Sequence, residues 1–75
     1  MKDLNRDELE FVVFCVENVG QKLGKTGDEI YRLLTKDSRI LEDYIVPNID
    51  ILHTQSKEYI VEDIIELMQS EGVVG

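Results

Sequence analysis

The chain has 75 residues, 16 of them acidic and eight basic, and its formal net charge is −8. Its 43% apolar and 32% charged residues are typical of a globular protein and exclude disordered and collagenous ones. A chain of this length forms one small domain, so we expect a single domain over residues 1–75.

Apolar runs, cysteine content and charge restrict the compartment and the partners. The longest apolar run, residues 11–16, is far shorter than the roughly 20 residues of a spanning helix, so no membrane is expected as a partner. Cys15 is the only cysteine, and the first residues show no apolar signal segment, which favours a cytoplasmic protein. The net negative charge repels the phosphate backbone, which argues against nucleic acid as a partner. Residues 22–39 nevertheless hold five of the eight basic residues.

Apolar residues recurring every three or four positions predict three main helices, at about 6–23, 27–36 and 57–71. The first two begin at capping boxes, in which a cap residue and a glutamate three positions later bond each other's backbone N–H. The third begins at a serine cap. The predicted caps are Asn5 with Glu8, Thr26 with Glu29, and Ser56.

A proline-broken helical segment at about 38–53 completes the predicted fold, an all-α bundle. Pro47 must end or kink this segment because its ring clashes with the preceding turn. Residues 48–55 are compatible with either a helical turn or a short extended piece, and periodicity does not choose between them.

The first helix is apolar around most of its circumference. We expect Gly24 to end it, and the helix-weakening Gly20 inside it to mark a close crossing. Two neighbouring apolar stripes run along it, the first being Leu9, Val12, Val13, Val16, Val19 and Leu23, and the second being Phe11, Phe14 and Cys15.

No residue pattern predicts catalysis, a metal or another cofactor, and we expect a protein that is not an enzyme. Cys15 lies in an apolar run typical of an inert, buried cysteine. Asp50 and His53 share a helical face, but a zinc site needs three or four ligands. We expect His53, Thr54 and Gln55 to satisfy backbone groups at the turn before the last helix.

Residues 19–36 look like a helix-turn-helix, with a small residue in the first helix, a glycine turn and a capping threonine. In this interpretation Tyr31 and Arg32 face the major groove of DNA. Asp28 and Glu29 oppose it, because they place negative charge where a recognition helix contacts phosphates and bases. A DNA-binding regulator is therefore the alternative function.

Several segments together carry a family resemblance: FVVFCVEN at 11–18, IYRLL at 30–34, DYIVP at 43–47, and LHTQ at 52–55 with YIVEDII at 59–65. They resemble a bacterial family of short proteins known only as a domain of unknown function. The resemblance covers nearly the whole chain and implies a small, stand-alone cytoplasmic protein, often encoded beside a toxin of the ADP-ribosyltransferase type. It implies an antitoxin-like or accessory partner and assigns no functional residue.

The leading interpretation is a non-enzymatic protein–protein interaction module that binds another protein, such as a co-encoded toxin, or a second copy of itself. The first helix offers more apolar surface than a small core uses, and small scaffolds often gain stability by association. Aromatic anchors dominate interfaces, although burial in the core suits the same side chains equally well. The candidate interaction residues are Phe11, Phe14, Tyr31, Arg32, His53, Thr54 and Gln55.

Overall fold

The computed structural model describes residues 4–74, which form four α-helices and no strand. The predicted all-α class and its three main helices are confirmed, and the second and third of these each end one residue earlier than predicted. A π-helical turn and a 3-10 turn precede the short third helix. In chain order the elements are α1 (Arg6–Leu23), α2 (Gly27–Thr35), the π turn (Leu41–Ile45), the 3-10 turn (Val46–Asn48), α3 (Ile49–Leu52) and α4 (Lys57–Ser70).

Side-chain caps start the main helices where the sequence predicts them. The Asn5 side chain accepts the Glu8 N–H at 2.8 Å, and the Glu8 carboxylate accepts the Asn5 N–H at 3.0 Å. Thr26 and Glu29 make the same exchange ahead of α2, and the bond from the Thr26 N–H is the main reason that the pKa of Glu29 is lowered. Ser56 caps α4. These local bonds satisfy N–H groups that a helix start leaves free.

The turn after α1 closes tightly over Gly20. A Cβ atom there would lie 2.7 Å from the Lys25 carbonyl oxygen and 3.5 Å from Ile30 Cγ1. The Gly20 carbonyl accepts the N–H groups of Gly24 and Lys25, and Gly24 ends the helix in the left-handed region at φ 70°. The predicted helix end at Gly24 is confirmed. The close approach at Gly20 is made by the carbonyl of the turn, and α2 lies at ordinary contact distance.

The core lies where one face each of α1, α2 and α4 meets the π turn. Among residues 4–74 it contains no buried polar or charged side chain. Burying each large aliphatic side chain contributes on the order of 2 kcal/mol, so burial of this set is the main source of stability. The fully buried members are Cys15, Val19, Ile30, Leu34, Leu41, Ile45, Ile64 and Met68.

Pro47 accounts for the irregular helical geometry before α3. It has no N–H to donate, and in a regular α-helix its ring would clash with the carbonyl group four residues earlier. The preceding turn widens, with the Val46 N–H bonded to the Leu41 carbonyl five residues back. The Asn48 side chain donates to the Tyr44 carbonyl at 2.6 Å. The predicted break at Pro47 is therefore confirmed, and it takes the form of a change in helix type.

The hydroxyl of Tyr44 ties the π turn to α4 by donating a hydrogen bond to the Asp63 carboxylate. This bond, followed by partial burial and the charge of Asp63, raises the pKa of Tyr44 to about 12. We expect Tyr44→Phe to lower the free energy of unfolding by about 1 kcal/mol at neutral pH, because the half-buried carboxylate loses its donor. Urea unfolding followed by circular dichroism measures the difference.

The same hydrogen bond predicts a pH dependence. Because the folded pKa of about 12 exceeds the ordinary value of about 10, the stabilisation is complete below pH 10 and is lost as the pH rises through 12. The stability advantage of the wild type over Tyr44→Phe should therefore shrink across that interval. Tyr31→Phe, which alters an exposed tyrosine, is the control and should leave stability unchanged. A Tyr44→Phe protein as stable as the control at pH 7 contradicts the prediction.

Candidate functional site

A groove with an apolar floor lies between α1 and the N-terminal end of α2, and we call it the α1–α2 groove. Three large apolar side chains on its walls are about half exposed: Leu9 by 52%, Val13 by 53% and Tyr31 by 45%. Val12 and Val16, which belong to the core, form the floor. Exposed apolar side chains grouped around a concave surface are typical of a site that binds another molecule.

The groove exists because α2 is too short to cover α1. At 1.5 Å per residue α1 is about 27 Å long and α2 about 14 Å. The start of α2 lies beside the middle of α1, since a Cβ at Gly27 would contact Val16 Cγ1 at 3.5 Å and the Glu17 carboxylate. Val13 and Leu9, one and two turns earlier, lie beyond that contact. They therefore stay about half exposed, whereas Val12, Val16 and Val19 of the same predicted stripe are buried.

The charged residues that line the α1–α2 groove are both acidic. Glu17 belongs to the α1 wall and Asp28 to the α2 wall, and both are exposed. Thr26 and Gly27, between them, carry no charge. The groove therefore combines an apolar floor with a negative rim.

Of the aromatic candidates, only Tyr31 lines the α1–α2 groove. The rings of Phe11 and Phe14 stack on each other with centroids 6.0 Å apart. Phe11 is half-buried against the core and also lines a separate cleft with His53, while Phe14 is 36% exposed. Phe11 thus packs largely as a core-edge residue, and Phe14 projects to the surface.

His53, Thr54 and Gln55 close the end of α3. The His53 Nδ1 lies 2.8 Å from the Ile49 carbonyl oxygen, and the Thr54 hydroxyl donates to the Ile51 carbonyl at 2.7 Å. The Gln55 N–H donates to the Leu52 carbonyl at 3.0 Å. Residues 48–55 are therefore a helical turn and its end. The side chains of His53 and Thr54 bond to the backbone as the sequence predicts, whereas Gln55 contributes only its backbone N–H.

The segment interpreted as a helix-turn-helix forms two helices joined by a short turn, and the first turn of its second helix is acidic. Three residues, 24–26, join α1 to α2, and Arg32 is exposed on α2. Asp28 and Glu29 occupy the first turn of α2. Arg39, the last basic residue of the segment 22–39, pairs with Glu42 at 3.0 Å and with Asp43 at 3.2 Å.

The environment of Cys15 does not favour a nucleophilic thiol. Cys15 has no exposed surface, and burial raises its pKa to about 12, so the thiol stays protonated at neutral pH. Between residues 4 and 74, no three histidine, cysteine or carboxylate side chains are grouped closely enough to hold a metal ion. In the same part of the chain, every helix is too short or too polar to cross a membrane.

Comparison with known proteins identifies the family of the chain but not its activity. No curated protein and no solved structure matches it. One family model, described as a protein of unknown function (DUF3791), matches residues 10–71, which is most of the chain and includes all four helices except the first turn of α1. This match confirms the resemblance to a domain of unknown function. The chain therefore belongs to the DUF3791 family.

Proposed function

We propose that this protein is a non-enzymatic interaction module and that the α1–α2 groove is its docking surface. One observation carries the proposal: Leu9, Val13 and Tyr31 leave about half of their surface in water around a single concave site. Covering these side chains with a partner removes apolar surface from water, which is the main favourable term in most protein associations.

The resemblance described above and the physical properties of small domains support a protein as the occupant. The resemblance implies a gene that lies beside a toxin gene, which is consistent with a co-encoded protein as the partner. Small domains without a disulfide also often gain stability by association, and this chain of 75 residues has a single cysteine. The three groove side chains lie on two different helices, so a partner in the groove would also hold α1 and α2 together.

The test is a binding measurement with the product of the adjacent gene. Analytical ultracentrifugation compares the wild type with the double variant Leu9→Gln plus Val13→Gln. We expect the double variant to bind at least about tenfold more weakly, because about 1.4 kcal/mol of apolar burial is lost. Both substitutions are neutral in charge and lie on exposed positions, so circular dichroism should show an unchanged fold.

A matched control is available at Ile51, which is 63% exposed but lies on α3, outside the α1–α2 groove. Ile51→Gln should leave binding unchanged. If Ile51→Gln weakens binding as much as the double variant does, the groove is not the docking surface. A wild-type protein that is strictly monomeric and ignores the neighbouring gene product contradicts the proposed function itself.

DNA binding is the second candidate, favoured by the three-residue turn, which closes tightly over Gly20 and suits a helix-turn-helix. The acidic first turn of α2 opposes it. A gel shift with duplex DNA from the promoter of its own gene separates the two functions. A shift that weakens steeply with salt and is lost in Arg32→Ala supports a regulator, and no shift at low salt excludes it.

A further inference from the structure

We propose that the occupant of the α1–α2 groove is a short, basic, amphipathic segment of the partner protein. Its apolar side chains contact Leu9, Val13 and Tyr31, and its lysine or arginine side chains contact the carboxylates of Glu17 and Asp28. This inference rests on the proposed function and specifies the chemistry of the partner.

Charge complementarity carries the inference. The two charged residues that line the groove are both acidic, one on each wall, and no lysine or arginine lines it. Neither carboxylate forms an ion pair with another described residue. A cation brought to this rim therefore finds two exposed carboxylates beside an apolar floor, and the net charge of −8 adds long-range attraction.

The same charges argue against a second copy of the chain. A symmetric contact through the groove would bring Glu17 and Asp28 of one copy against the same residues of the other. Each copy also carries a net charge of −8. Juxtaposed like charges disfavour an interface, so a basic partner is the better complement.

Glu17 and Asp28 also lie at the N-terminal end of α2, where the helix dipole favours negative charge. Removing the carboxylates could therefore act on stability as well as on binding. The experiment has to measure the two effects separately, with unfolding curves recorded for every variant used in binding.

The probe is a synthetic peptide of about four helical turns, with leucine on one face and lysine on the other. A second peptide carries glutamate in place of each lysine. Isothermal titration calorimetry should show that the lysine peptide binds and the glutamate peptide does not. The affinity of the lysine peptide should fall several-fold from low to physiological ionic strength, because salt screens the charges. Glu17→Gln with Asp28→Asn should weaken binding about three- to tenfold and reduce the salt dependence.

Two control variants give the result its specificity. Glu66→Gln with Glu71→Gln removes two exposed carboxylates outside the groove and should leave binding within about twofold of wild type, since distant exposed charges are screened. Leu9→Gln with Val13→Gln should weaken it at least about tenfold. Equal losses in the two carboxylate pairs would show non-specific attraction and overturn the inference.

Three further outcomes would also overturn it: no binding of the lysine peptide, equal binding of both peptides, or a wild-type dimer that Leu9→Gln plus Val13→Gln dissociates. The proposed function is judged separately. If the adjacent gene product needs Leu9 and Val13 but is indifferent to Glu17→Gln plus Asp28→Asn, the groove remains the docking surface and only the basic partner is wrong.

Discussion

Replacing Leu41 with alanine is expected to lower the free energy of unfolding by about 3 kcal/mol. Leu41 has no exposed surface and belongs to the π turn, where it packs into the core shared by the main helices. Deleting its side chain removes apolar burial and leaves a cavity that the surrounding helices fill only in part. A domain of this size has about 4–11 kcal/mol of stability in total, so the loss is a large fraction.

Urea unfolding followed by far-ultraviolet circular dichroism measures this loss as a lower midpoint with an unchanged slope. Leu9→Ala is the matched control, since it is the same substitution at a position that is 52% exposed. It should cost no more than about 1 kcal/mol. Equal losses for the two leucines would mean that the π turn is not packed into the core.

Replacing Gly20 with valine is expected to cost about 2–3 kcal/mol, because a well-packed site is overfilled. Its Cβ would lie 2.7 Å from the Lys25 carbonyl oxygen, and that atom belongs to the backbone of a tight turn, so it cannot simply rotate away. The methyl groups of valine would also crowd Ile30, the core residue that lies 3.5 Å from the same point. The turn between α1 and α2 must open to admit the side chain.

Gln21→Val, at the exposed neighbouring position of α1, separates this clash from the helix propensity of valine. It should cost less than about 1 kcal/mol. Thermal unfolding of both variants provides the comparison. If Gly20→Val is as stable as Gln21→Val, the turn has room for a side chain and the close approach at Gly20 does not constrain the fold.

The features of the fold that depend on nearby residues could be predicted from the sequence. Each capping box needs only two residues three positions apart, and the end of α1 needs only a glycine that tolerates positive φ. The break at Pro47 follows from the proline ring itself. The change to π and then 3-10 geometry could not be predicted, because it also depends on how Leu41 and Ile45, both fully buried, pack into the core.

The candidate site depends on features that the α1 sequence does not contain. A helix that is apolar around most of its circumference does not show which part its neighbours cover. The length and the starting point of α2 decide that Leu9 and Val13 stay in water. A signal for this was available, since a predicted second helix half as long as the first cannot cover it. Glu17 and Asp28 are 11 positions apart in the sequence and share a rim only because the chain reverses between them.

The sealed environment of Cys15 has a practical consequence for spectroscopy. Because the one native thiol is fully buried and stays protonated at neutral pH, maleimide reagents should leave it untouched while the protein is folded. A cysteine introduced at the exposed position 51, in place of Ile51, would then be the one thiol that reacts, so Cys15 need not be mutated. Fluorophores and spin labels can thus be attached one at a time to an otherwise unaltered molecule.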